Sequence, residues 1–309
     1  MRGESEPLWR HVNNAERLIE LRKYSAALDE LEHALSYSSR EASIFRLYAT
    51  CLLQLKRPQD ALKAVEQALE LDADSPENYH SYGVVAQELR RFGEAETAFR
   101  KAIERAPYVS AYYSNYARLL CVRGDYAEAV VQATEAVRLN PNMAHAFEIL
   151  SWAEMELCRW EEARLHCLDS LRLDPESAWA HNNMGVWFMA QGEAEQAHTE
   201  FVEALRLRPD LKIAQENVIK SLQASHPLFT TSWKLTNLLL RVPVRWRNLV
   251  VYSILAIVRF IGLAAGQAIG GDWGVWIGFV IWIALLVLLL FLLLGHEIFV
   301  MLVRKGWIR

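Results

Sequence analysis

The chain has 309 residues, 52% of them hydrophobic, and a formal charge of −4. Residues 226–309 hold eight of the 33 basic groups and two of the 37 acidic ones, which leaves 1–225 with ten more acids than bases. So acidic a region repels a phosphate backbone, which excludes nucleic acid as the expected ligand; four cysteines (Cys51, Cys121, Cys158, Cys167) with no C-x-x-C pair and no His/Cys cluster exclude a metal knuckle.

The opening MRGESEPLWR lacks the apolar run of a signal peptide, so the amino terminus is expected to stay in the cytosol. The four cysteines fall at repeat positions expected to hold small buried side chains in a reducing compartment. Further on, prolines stand at 107, 141, 175 and 209, each 34 residues from the last. A fixed period of this size denotes an array of helix pairs and not one globular core. With the closing proline as position 32, six units follow: 8–39, 40–73, 74–107, 108–141, 142–175 and 176–209. The first two close on Ser39 and Ala73. Position 8 is Ala15, Ala49, Gly83, Ala117, Ser151 and Gly185, and position 20 is Ala27, Ala61, Ala95, Ala129, Ala163 and Ala197. These two positions are expected to face each other where the paired helices cross, so that only Gly, Ala or Ser fits. Position 17 opens each second helix and carries Tyr24, Phe92, Tyr126 and Trp160, while Gly124 and Gly192 mark the turn between helices.

Residues 211–224, LKIAQENVIKSLQA, are predicted to form a terminal helix that covers the last apolar face. Its expected inner residues are Ile213, Val218 and Leu222; Lys212, Gln215, Glu216 and Lys220 point outward. A juxtamembrane linker spans 226–248, with a surface helix over 228–241 that ends before Pro243.

Residues 275–294 carry no charge over 20 positions, and at roughly 1.5 Å per residue they span about 30 Å, the thickness of a bilayer core. This predicts a transmembrane hairpin over 249–303, with spans at 249–271 and 275–298 and a basic tail at 304–309. Arg259 lies near the middle of the first span, where it costs about 2.5–3.5 kcal/mol that the surrounding apolar residues offset. Arg241, Arg245 and Arg247 precede the hairpin, and Arg304, Lys305 and Arg309 follow it, so both ends are expected on the cytosolic side. Gly262, Gly266 and Gly270, then Gly274 and Gly278, recur every fourth residue and allow close helix approach. That approach is either within the hairpin or to a homo-oligomer or membrane-protein partner. Arg259 either snorkels to the headgroups or pairs with an acid on another protein.

The spacing and the small-residue columns over 8–209 resemble the tetratricopeptide-repeat family. The segment around HPLF, the PVRWR stretch and Arg259 are similar to bacterial members of that family that end in a pair of transmembrane helices. The resemblance implies an all-α solenoid of about six helix-turn-helix repeats plus a capping helix, followed by the hairpin, in a bacterial inner membrane. It further implies that the first helix of each unit lines a concave groove for a protein or peptide. The candidate groove residues are Arg46, His80, Arg118, Glu148, Trp152, Trp179 and Asn182, among a mixed lining that includes Glu77, Gln87, Glu88, Ser114 and His145. Trp152 and Trp179 are either anchors for a guest or packing against the next unit. Asn182 and Arg118 are placed to meet a guest's backbone or carboxylate.

The Lys/Asn/Arg set with which some members clamp a chaperone's terminal carboxylate is missing, since Val12 and Glu16 occupy the first two positions. No nucleophile motif, phosphate loop or metal-ligand spacing is found, so a non-enzymatic protein without cofactor or metal is expected. The expected function is a membrane-anchored scaffold that grips a cytosolic partner. The alternative is a subunit of a membrane assembly or translocation complex acting through its hairpin.

Overall fold

The computed structural model describes residues 5–225. The predicted linker, both spans, the tail, Arg259 and the glycines at 262, 266, 270, 274 and 278 lie outside the described residues. Six helix pairs and a last helix follow one another: α1 (Ser5–Glu20) and α2 (Tyr24–Tyr37), α3 (Ala42–Gln54) and α4 (Pro58–Leu71), α5 (Pro76–Glu88) and α6 (Phe92–Arg105), α7 (Ser110–Arg123) and α8 (Tyr126–Leu139), α9 (Ala144–Glu156) and α10 (Trp160–Leu173), α11 (Ala178–Gln191) and α12 (Ala194–Leu207), then α13 (Lys212–Ser225). No strand occurs among the described residues. Among these residues no helix is long and apolar enough to cross a membrane.

Each second helix opens at position 17 and runs 14 residues, because the turn before it is built identically every time. At position 15 the backbone turns left-handed at Arg22, Lys56, Arg90, Gly124, Cys158 and Gly192, with φ between 56° and 88°. The next residue then donates its N–H to the carbonyl five back, as Arg57 does to Leu52 and Asp125 to Leu120, at 2.8 and 2.9 Å. This is the Schellman closure of a helix, in which a left-handed residue lets orphan carbonyls find donors. Glycine was expected there at 124 and 192; four of the six turns instead force a side-chain-bearing residue into the same conformation. Cys158 is one of them and is exposed, which corrects the expectation that all four cysteines are buried.

The chain divides into two compact units between Asn183 and Met184. In the first unit, every Ala at position 20 has no solvent exposure, and Ala34, Ala68, Ala102 and Ala136 at position 27 are equally buried. These small residues let paired helices approach closely. Where position 8 is Gly83, the nearest side chain is that of position 24. A methyl added to Gly83 would lie 2.7 Å from the Phe99 ring. Where position 24 is smaller (Leu31, Val65, Ala133, Cys167), position 8 is Ala or Ser. The glycine is thus found where position 24 carries a phenylalanine ring, as close packing demands.

Within this unit α1 touches α3, α3 touches α5, α5 touches α7 and α7 touches α9, but no even-numbered helix touches the next even-numbered one. The row of odd helices is therefore drawn together on an inner side and the even helices are splayed on the outer side.

In the second unit, a methyl on Gly185 would meet Phe201 at 2.5 Å, which repeats the Gly–Phe pairing. Helix α13 packs on α12. Its buried face is Ala214, Asn217, Ser221 and Gln223, preceded by the buried Leu211, with Val218 and Leu222 half-buried. Ile213 is 43% exposed, contrary to expectation. It lies one residue, about 100° of helix, from Ala214, so its hydrophobicity misreports its direction. The expected outer residues Lys212, Gln215, Glu216 and Lys220 are exposed.

Candidate functional site

The inner side of the first unit is lined by α3, α5, α7 and α9. Position 5 of successive repeats gives one column, Arg46, His80, Ser114 and Glu148, each 34 residues apart. The centre of the column is His80. Its ring stacks on Tyr112 with centroids 4.8 Å apart, and it meets Phe99 at 5.9 Å. The Asn115 amide donates to His80 Nε2 at 2.9 Å and to the Ala111 carbonyl at 3.0 Å, so the imidazole is the neutral tautomer with its proton on Nδ1. Burial pushes the His80 pKa down to about 4, and the charges of Arg46 and Arg118 push the same way against Glu77. Tyr112 is pushed up to about 12, chiefly by burial, with Glu77 adding and Arg46 opposing.

Arg118 sits one helical turn beyond Ser114, on the same face of α7. It is half-buried, and its Nε is sealed from solvent without a hydrogen-bond partner. Burial lowers its pKa, and only Glu88 opposes this. Ser114 is 1% exposed, and its Oγ has no partner either. Gln87, on α5, leaves its buried Oε1 unpaired. Among the described residues neither Arg46 nor Arg118 forms an ion pair, whereas the arginines of the outer helices commonly do, as Arg91 with Glu94 and Arg138 with Glu135.

Thus Arg46, His80 and Arg118 come together. Glu148 does not join them. Its carboxylate accepts from His145 Nδ1 at 2.9 Å and from the Ser177 hydroxyl. Its carbonyl accepts from Asn183 at 3.0 Å. These bonds tie α9 to the start of α11. Trp152 is half-buried against the core of the unit, which is the packing alternative. Trp179 is 37% exposed, while Asn182 is 2% exposed and belongs to the packed interior. Tyr112 and Asn115, which hold His80, were not among the sequence candidates. They flank the column at positions 3 and 6, and nothing in their own repeat distinguishes them.

Among the described residues no cluster of His, Cys, Asp or Glu is arranged to hold a metal. No curated protein matches the chain. Several solved structures share the fold. A chain of the APC/C hetero-tetramer Cut9–Hcn1 superposes with a TM-score of 0.64 at 15% identity over 70% of this chain, which spans only 43% of that chain's length. A tetratricopeptide repeat protein of Parabacteroides merdae gives 0.59 at 19% identity, covering 70% of this chain and 84% of that one. Pseudomonas aeruginosa pilF gives 0.57 at 18% identity, covering 69% and 97%. At such identities the likeness concerns the fold alone. Models of the tetratricopeptide repeat match residues 18–82, 83–133 and 117–178. Those matches, together with a turn and a small-residue column that recur every 34 residues, show that this chain belongs to the tetratricopeptide-repeat family.

Proposed function

We propose that the protein is a membrane-anchored scaffold: its inner face holds an extended segment of a cytosolic partner, and the apolar stretches at 249–271 and 275–298 confine that partner to a bacterial inner membrane. Tetratricopeptide arrays generally mediate protein–protein interaction and are typically non-catalytic. The observation that carries the reading is the inner face of the first unit, where two arginines without ion pairs flank a neutral histidine. Anchoring would raise the effective concentration of partners at the membrane without any new contact. In this reading both chain ends are cytoplasmic.

The full-length tagged chain tests it. A photo-crosslinking residue placed at Arg46 should trap a specific protein in native membranes, and one at the exposed Val131 of α8 should not. The chain itself should resist alkaline extraction. Extraction into the soluble fraction would remove the anchor; equal crosslinking from both positions would remove the groove.

The second reading places the function in the hairpin, favoured by Arg259, for which the second span offers no acid at its depth. Substituting Arg259→Leu separates the two. A complex lost while the Arg46 crosslink persists supports the hairpin reading.

A further inference from the structure

We infer that the inner face between α3 and α7 is a recognition site for a single acidic side chain, an aspartate or glutamate, within an extended segment of the partner. This rests on the inner-face reading above and specifies its chemistry. The site presents positive charge, and its one imidazole acceptor is already engaged. Asn115 occupies Nε2 of His80, so the imidazole offers only its Nδ1–H. Ser114 Oγ and Arg118 Nε lie one turn apart on α7, both buried and both without partners. The Arg46 and Arg118 charges both reach His80, and neither guanidinium has an ion-pair partner among the described residues.

A guanidinium partly withdrawn from water without a counter-ion is unfavourable, and unpartnered buried donors add to this. A carboxylate laid on the part of Arg118 that solvent still reaches supplies the missing counter-ion. Planar, bidentate geometry suits Arg to that ligand.

Two features narrow the ligand further. Glu77 and Glu88 lie at either end of the same helix, α5, and are exposed. They repel a polyacidic segment and leave room for one carboxylate between them. The row of odd helices continues past the site to α1 on one side and α9 on the other. A chain can therefore run through the site without ending there, which favours an acidic side chain over a terminal carboxylate.

The test uses the full chain in detergent and three sets of short fluorescent peptides of mixed apolar and polar sequence. One set is capped at both ends with a central Glu. The second is identical with Gln. The third has Gln and a free carboxyl terminus. Capped Glu peptides should bind about tenfold or more tighter than their Gln counterparts, the scale of a hydrogen bond to a charged group. The preference should weaken with salt and vanish in Arg118→Met. Because that substitution removes a half-buried charge without an ion pair, Arg118→Met should also leave the thermal midpoint of the free protein unchanged or raised; a residue needed only for packing would lower it. Arg46→Gln, at a half-buried position, should reduce the preference and leave the fold intact.

Capped Glu and Gln peptides bound equally well would overturn the proposal and leave the inner face standing as a peptide site. A free terminus bound more tightly than the capped Glu set would do the same. No binding by any set would remove both.

Discussion

Gly83 has no room for a methyl because Phe99 fills the space. Replacing it with alanine should destabilise the protein by about 1–3 kcal/mol, the usual cost of overpacking. The double variant Gly83→Ala/Phe99→Leu recreates the Ala15–Leu31 pairing of the first repeat and should recover most of that loss. Urea denaturation of the double-mutant cycle measures the coupling, and additive effects would refute the pairing.

His80 makes a second prediction at this scale. Its folded pKa of about 4 lies below the ordinary value of 6.5. Below pH 6.5 the unfolded chain takes up a proton that the folded chain refuses, so this contribution to stability is complete above 6.5 and falls as pH drops towards 4. The loss should reach about 2 kcal/mol by pH 5. It should be absent from His80→Phe when unfolding free energies are compared at pH 7 and pH 5.

The column Arg46–His80–Ser114–Glu148 was legible in the sequence because a 34-residue step maps each residue onto its neighbour in space. The engagement of Glu148 by Ser177 was not, since it depends on how a hydroxyl before α11 points. Nor were Tyr112 and Asn115, whose roles exist only because His80 lies on the helix before theirs.

At the level of the helix pair, the left-handed turn residue is the feature with measurable consequences. No atom lies within 4 Å of where a Cβ on Gly124 would stand. Gly124→Ala therefore isolates the backbone penalty, about 1 kcal/mol. The reverse change, Arg90→Gly or Lys56→Gly, should stabilise by about 0.5–1 kcal/mol, because the penalty is removed and part of it is returned as unfolded-chain entropy. Thermal or urea unfolding checks both signs. Helix boundaries were readable because proline, glycine and the position-17 residue mark them. The four turns without glycine hid their conformation, since Arg, Lys and Cys carry no signal for positive φ. In α13 the misassigned Ile213 shows the same limit: apolar character says that a residue favours burial, and the phase of the helix decides whether it obtains it.

Across the array, stability accrues from each repeat and its contacts with the next. Removing one whole period, residues 142–175, keeps every small-residue column in register across the junction. Such a deletion should leave the remaining helices formed, with unchanged ellipticity per residue and a lower midpoint. Removal of only the 17 residues 142–158 brings second-helix residues against second-helix residues and should abolish cooperative unfolding. Circular dichroism distinguishes the two.

Along the first unit, each odd helix packs against both helices of the repeat before it, whereas no even helix meets the next even one. Each junction then behaves as a hinge whose pin runs down the inner line, with its leaves open on the far side. A rotation of a degree or two at every pin barely disturbs any single contact, yet the rotations add along the series. In the scaffold proposed above, guests of different girth would then be met by one inner face, with breadth of fit supplied by the backbone.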